Sequence, residues 1–309
     1  MAEEAPSYLR LHESGEIERR ADLAREILRE CTVCPRECRV DRIRDEAGCI
    51  CGGGERALVC SAAPHFGEER PLVGSGGSGT IFFAGCNLGC VFCQNYEISH
   101  GREGREVSAA DLANTMTGLQ RRGCHNINFV SPSHFVPQIL AALGPAVEDG
   151  LSVPLVYNTG GYDSLKTLRL LDGIVDIYMP DAKYADEEVA ERLSGAADYP
   201  RIMRAAITEM HRQVGDLQIN EEGVATRGLL VRHLVMPGGL AGTPEIMQFL
   251  ASLSEDTYVN VMAQYRPCYR AHEYPELSRR ITSQEYQEAV EAARDAGLHR
   301  LDARPTQFG

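Results

Sequence analysis

Apolar residues recur along this chain in short, nearly continuous runs from residue 78 onward. They fall at 79–84 (GTIFFA), 126–131 (NINFVS), 153–158 (VPLVYN), 174–179 (IVDIYM), 229–235 (LLVRHLV) and 257–263 (TYVNVMA). Runs of this length without polar alternation suit strands buried on both faces. Between them, apolar positions take helical spacing over 108–122, 135–148, 164–172, 185–194, 200–214, 243–254 and 283–296. Ser108 with Asp111, and Thr282-Ser283 ahead of Glu285, are helix N-cap signals. Alternating strands and helices imply parallel strands with helices outside. Six such units suit a partial (β/α)6 barrel or a doubly wound sheet. In either, chemistry gathers at the C-terminal ends of the strands.

The first 77 residues have a different pattern. Ile17, Leu23, Ile27 and Leu28 predict one amphipathic helix over 13–30. Residues 31–77 combine cysteines, Gly52-Gly53-Gly54, Pro64, Pro71 and Gly74 with little periodicity, which predicts a loop-rich module. The expected organisation is an N-terminal helix and Cys-rich metal-binding module over 1–77. A core barrel with a C-terminal extension follows over 78–309.

Composition narrows the function. With 43% apolar and 24% charged residues over 309 positions, the chain is ordinary globular material. A net charge of −13 excludes a chain built mainly to grip phosphate backbones, so nucleic acid is not an expected partner. No apolar run is long enough for a bilayer, and residues 1–20 show neither a basic n-region nor an apolar h-region. A cytoplasmic location is therefore expected. Of 11 cysteines, nine lie between Cys31 and Cys93. Without a secretory signal, such crowding points to metal or redox chemistry before disulfides.

The sharpest motif follows the first barrel strand. In TIFFAGCNLGCVFCQNY, Cys86, Cys90 and Cys93 have the spacing C-x3-C-x2-C. Three thiolates within eight residues can wrap one iron–sulfur cube and leave one iron without a protein ligand. A chance match to this spacing is on the order of 1%.

This triplet, with Phe92 before its last cysteine, resembles the signature of radical S-adenosylmethionine (SAM) enzymes. The segments GSGTIFFAGCNLGCVFCQNYEIS, NFVSPSHFVPQIL, YNTGGY, DIYMPDAKY and VMAQYRP resemble the uncharacterised branch of the pyruvate formate-lyase activating enzyme family. The likeness runs from about Cys31 to about Gly297. It implies a partial (β/α)6 barrel and a [4Fe-4S] cluster that binds SAM through its open iron. It implies reductive cleavage to a 5′-deoxyadenosyl radical that takes a hydrogen from a substrate. An electron donor such as flavodoxin or ferredoxin is then required.

The same resemblance assigns residues around SAM. Strand 2 of the wider family ends in Gly-Gly-Glu, whereas here it ends in Val130-Ser131-Pro132-Ser133-His134, leaving Ser131, Ser133 and His134 as substitutes. Strand 3 offers Asn158 and Thr159. Strand 4 ends in Asp181-Ala182-Lys183, similar to the Asp-x-Lys of activating enzymes. His233 matches a family position in strand 5. Asp181, Lys183 and His233 are expected to face SAM and to serve catalysis.

Cys31, Cys34, Cys38 and Cys51 supply four more thiolates, enough for a tetrahedral zinc or a second iron–sulfur cluster. Cys49 is an alternative fourth ligand, and the resemblance favours Cys51. Cys60, Cys124 and Cys268 are expected to behave as small hydrophobes. QYRPCYRAHEY at 264–274 suits a lid or substrate-facing segment, while His65, Glu68 and Glu69 suit a structural role. The substrate stays open between a protein, as in glycyl radical enzyme activation, and a small molecule, nucleotide or peptide. An electron carrier without catalysis is the reading from another class. It would not need an open iron or polar strand ends.

Overall fold

The computed structural model describes residues 5–44 and 49–302. The extension expected beyond residue 302 lies outside the described residues. Ten strands form one twisted sheet: β1 (Ala57–His65), β2 (Ser78–Phe83), β3 (Arg105–Val107), β4 (Ile127–Val130), β5 (Leu155–Thr159), β6 (Ile177–Pro180), β7 (Gln218–Ile219), β8 (Ala225–Leu234), β9 (Tyr258–Met262) and β10 (Leu301–Asp302). Their order is β10-β9-β8-β6-β5-β4-β2-β1-β3, with β7 beside β8. From β2 to β10 every neighbouring pair is parallel. The six apolar runs are β2, β4, β5, β6, β8 and β9. Among the described residues the sheet does not close, so the fold is a partial barrel.

Strand parity sorts the side chains. On the outer face, Ile81, Phe83, Ile127, Phe129, Leu155, Tyr157, Leu229, Val231 and Val259 belong to the main core shared with the helices. On the inner face, Val156, Ile177, Met179 and Leu230 form a smaller separate cluster. The helix starts follow the cap chemistry. Ser108 and Asp111 form a reciprocal capping box on Ala109–Arg121, and Thr282 and Glu285 do so on Ser283–Asp295.

The N-terminal region departs from expectation. The helix expected over 13–30 is present as Glu16–Ile27 with a further turn at Leu28–Glu30, but a second helix, Tyr8–Glu13, precedes it, set off by Gly15 in a left-handed conformation. Within the supposed loop module, β1 pairs antiparallel with β2 and with β3. The expected boundary at residue 77 therefore falls inside the β1–β2 hairpin. Leu72, in the connection between these strands, packs with Val156, Ile177 and Leu230 on the inner face.

No described helix is long and apolar enough to cross a membrane.

Candidate active site at the strand C-termini

The cysteine loop leaves β2 at the mouth of the barrel. Gly85 and Gly89 take positive φ and turn the chain sharply. Each of the three sulfurs has a hydrogen-bonding neighbour. The Leu88 N–H donates to Cys86 Sγ at 3.4 Å, and Ser194 Oγ donates to Cys90 Sγ at 3.1 Å. Cys93 Sγ stands 3.1 Å from Ser99 Oγ. Burial pushes the Cys90 thiol up to about 11 and the Cys93 thiol up as well, with Lys183 opposing both. Buried thiols of this kind ionise when a metal centre supplies the compensating charge.

Tertiary contacts hold the loop from three sides. Arg36 donates to the carbonyls of Asn87 at 2.9 Å and of Leu88 and Ser194 at 3.0 Å, and also to Gly195. Asn87 Nδ2 donates to the Tyr162 carbonyl at 2.7 Å. The 264–274 segment packs over the loop: the Arg270 N–H donates to the Val91 carbonyl at 2.9 Å, and Phe92 lies 6.0 Å from the Tyr265 ring. Tyr269 stacks on His100 and Tyr96 beside it.

Facing the loop is a charged network. Lys183 Nζ donates to Asp181 Oδ2 at 2.6 Å, and Arg232 Nε donates to Asp181 Oδ1 at 2.8 Å. Arg232 also reaches Asn158 Oδ1 at 2.7 Å. Burial alone would push the Asp181 carboxyl up, but Arg232 and Lys183 together hold it below its usual range. Burial works against the Lys183 ammonium too, and Asp181 with Cys90 more than offsets it. Both residues are charged at neutral pH, beside the cysteine loop.

The structure brings together Asn158, Asp181 and Lys183 of the expected SAM residues. Ser131 sits at the end of β4 in a left-handed conformation with φ 56°, unusual for a residue with a side chain. The other four turn elsewhere. Ser133 Oγ and Thr159 Oγ1 lie 3.0 Å apart, and Thr159 donates to the buried Asp163 carboxylate at 2.6 Å. His134 packs under the cysteine loop with Nε2 at 3.0 Å from the Ala84 carbonyl. His233 shares the outward parity of Leu229 and Val231. Its Nδ1 donates to the Ala182 carbonyl at 2.7 Å, and its Nε2 meets Thr243 Oγ1 at 2.9 Å. It braces the Asp181–Lys183 turn from behind and does not face the barrel interior. Arg232 occupies the inward position and was not anticipated, although period-2 parity from Leu230 points to it.

Among the described residues, no three His, Cys, Asp or Glu side chains converge on one ion-sized point. That bears most on the N-terminal cysteines, since a cubane takes its thiolates at separate corners. Cys31, Cys34, Cys49 and Cys51 are buried and Cys38 half-buried, with Cys49 Sγ 3.1 Å from Cys51 Sγ. The second metal site expected from Cys31, Cys34, Cys38 and Cys51 is not shown among the described residues. Of the three lone cysteines, Cys124 is buried, Cys268 half-buried and Cys60 exposed on β1. A surface cleft of about 340 Å³ lies far from the cysteine loop, beside Val153 and Pro154 ahead of β5.

A family model described as the radical SAM superfamily matches residues 80–216. An uncharacterized protein of Methanocaldococcus jannaschii is 33% identical over 287 residues, covering 90% of this chain and 78% of that protein. The crystal structure of a radical SAM methyltransferase from Sphaerobacter thermophilus is similar at a TM-score of 0.36 and 14% identity. That alignment covers 73% of this chain and 66% of the other, just under two thirds. The matched segment contains the cysteine loop and every strand end of the charged network except that of β8. The chain belongs to the radical SAM superfamily.

Proposed function

We propose that Cys86, Cys90 and Cys93 hold a [4Fe-4S] cluster and that the neighbouring strand ends hold SAM. Bound together, these groups supply reductive cleavage of SAM to a 5′-deoxyadenosyl radical and removal of a hydrogen atom from a substrate. The observation that carries this reading is the loop itself. Three cysteine sulfurs, each with a hydrogen-bonding neighbour, stand at the C-terminal ends of a parallel sheet and face a buried Lys–Asp–Arg network. Lys183 would meet the methionine carboxylate, with Asp181 keeping the lysine charged and aimed. Asn158 and the Ser131 backbone offer further polar contacts. Tyr265 and Tyr269 limit water above the loop. One electron per turnover would come from a donor such as flavodoxin or ferredoxin.

The resemblance to activating enzymes supports the scaffold and leaves the substrate to be argued from the side chains of the barrel interior. The test is anaerobic reduction with SAM, followed by mass spectrometry for 5′-deoxyadenosine. Wild-type protein should form it, and a variant with Cys86, Cys90 and Cys93 all changed to Ala should not. Product from the reconstituted triple variant would sink the proposal.

A further inference from the structure

Inside the barrel, polar groups are buried without enough partners. The β1–β2 connection carries Glu68 and Glu69 just ahead of Leu72, which lies in the inner-face cluster. Glu69 is 6% exposed. Its Oε1 accepts from Asn260 Nδ2 at 3.0 Å, while its Oε2 has no hydrogen-bond partner. Asn128 is 0% exposed, and neither atom of its carboxamide has a partner. It pairs in register with Val156, an inner-face residue that packs with Leu72. Native proteins rarely leave such groups unsatisfied unless something else completes them.

Charge narrows what that is. Burial pushes the Glu68 carboxyl up to about 7, with Arg232 pulling it down and Glu69 and Asp181 pushing it up. Lys183 pairs with Asp181, and Arg232 acts on Asp181, Glu69 and Glu68. Above about pH 7, where Glu68 has given up its proton, these two cations stand against three carboxylates and one negative charge is left uncompensated. An anion would collide with Glu69 Oε2. A hydroxyl would satisfy the hydrogen bond and leave the charge. An ammonium group satisfies both.

We propose that the substrate enters the barrel at this point and presents a primary ammonium group to Glu69 and Glu68, with Asn128 taking an adjacent amide. The proposal rests on the radical SAM reading above for the word substrate. The binding chemistry stands on these side chains alone.

The probe is Nα-acetyl-lysine amide, compared with its neutral analogue Nα-acetyl-norleucine amide. Binding to the reconstituted protein is measured by calorimetry in the presence of SAM. The lysine probe should bind roughly tenfold or more tightly than the norleucine probe, and Glu69→Gln should erase that preference. As a check that needs no variant, the wild-type preference should shrink from about pH 8 to about pH 6, as the carboxyl pair takes up a proton. Equal binding of the two probes, or an unchanged preference in Glu69→Gln, overturns the assignment. The deoxyadenosine assay on wild-type protein separates the two ideas. Cleavage of SAM without amine preference removes only this inference. Amine preference without cleavage removes only the proposed reaction.

Discussion

Gly85 and Cys51 approach so closely that a methyl group on Gly85 would stand 2.1 Å from the Cys51 carbonyl oxygen. The N-terminal cysteine segment thus lies directly against the first turn of the cysteine loop. Gly89, four residues on, also has positive φ, but its Cβ would meet only a His100 ring atom at 3.9 Å.

The two glycines should therefore respond differently to alanine. Gly89→Ala carries only the left-handed penalty, about 1 kcal/mol. Gly85→Ala adds a backbone collision that the loop must move to relieve, so a loss of about 3 kcal/mol or more is expected. Iron content and iron–sulfur absorbance after anaerobic reconstitution check this. Retention should be near normal in Gly89→Ala and poor in Gly85→Ala.

Lys183 and Arg232 share Asp181 but should not be equivalent. Lys183→Met leaves Asp181 paired with Arg232, so folding should survive while SAM affinity falls by about 1–3 kcal/mol. Arg232→Met removes the cation that pairs with Asp181 and acts on Glu68 and Glu69, together with the donor to Asn158. A stability loss of about 3–5 kcal/mol is expected, as for other buried pairs broken from one side. Urea denaturation and equilibrium SAM binding separate the two outcomes. Equal SAM affinity in Lys183→Met would place that ammonium outside the SAM site.

His233 should show its role through pH. Burial pulls it down to about 4, below the usual 6.5, with the Ala182 carbonyl only partly opposing. The unfolded chain therefore binds a proton that the folded one refuses. Stability from this site is present above about pH 6.5 and is lost as pH falls toward 4. His233→Gln should flatten that part of the acid limb in thermal denaturation. A variant with the same slope as wild type would mean the imidazole is already charged in the fold.

Arg36 donates to four carbonyls in two segments, so Arg36→Met should leave Asn87, Leu88, Ser194 and Gly195 without these donors. A loss of about 2–4 kcal/mol is expected. Cluster retention should fall as well, because Ser194 also holds Cys90. Normal iron retention in a destabilised protein would separate the clamp from the cluster loop.

How much of this was legible follows from burial. Six parallel strands were visible because each is covered on both faces and is mostly apolar. β1 was not, because its burial along 57–65 neither alternates nor stays constant, and Pro64 and exposed Cys60 interrupt it. The cysteine loop was legible from spacing alone. Asp181 and Lys183 were singled out by motif and lie as an ion pair beside the cysteine loop, whereas His233 turns outward because a motif does not carry parity. Ser133 and Thr159 were drawn away by Asp163, a buried carboxylate whose demand for donors is invisible until the fold brings it near. The burial of Glu69 was not legible, because nothing local shows that a hairpin connection enters the barrel.

That connection has a wider consequence. Strands must keep their pairing, but a turn between them is free to change length and sequence. Here the machinery proposed to make a radical is anchored at one end of the barrel by β2, β6 and β8. The floor beneath it is the connection between β1 and β2, which carries the short helix Arg70–Val73. On the two proposals, radical generation rests on the strand ends while the carboxylates that select the substrate come from a separate stretch of chain. Descendants of one scaffold can exchange the floor for another target without rebuilding the source of the radical.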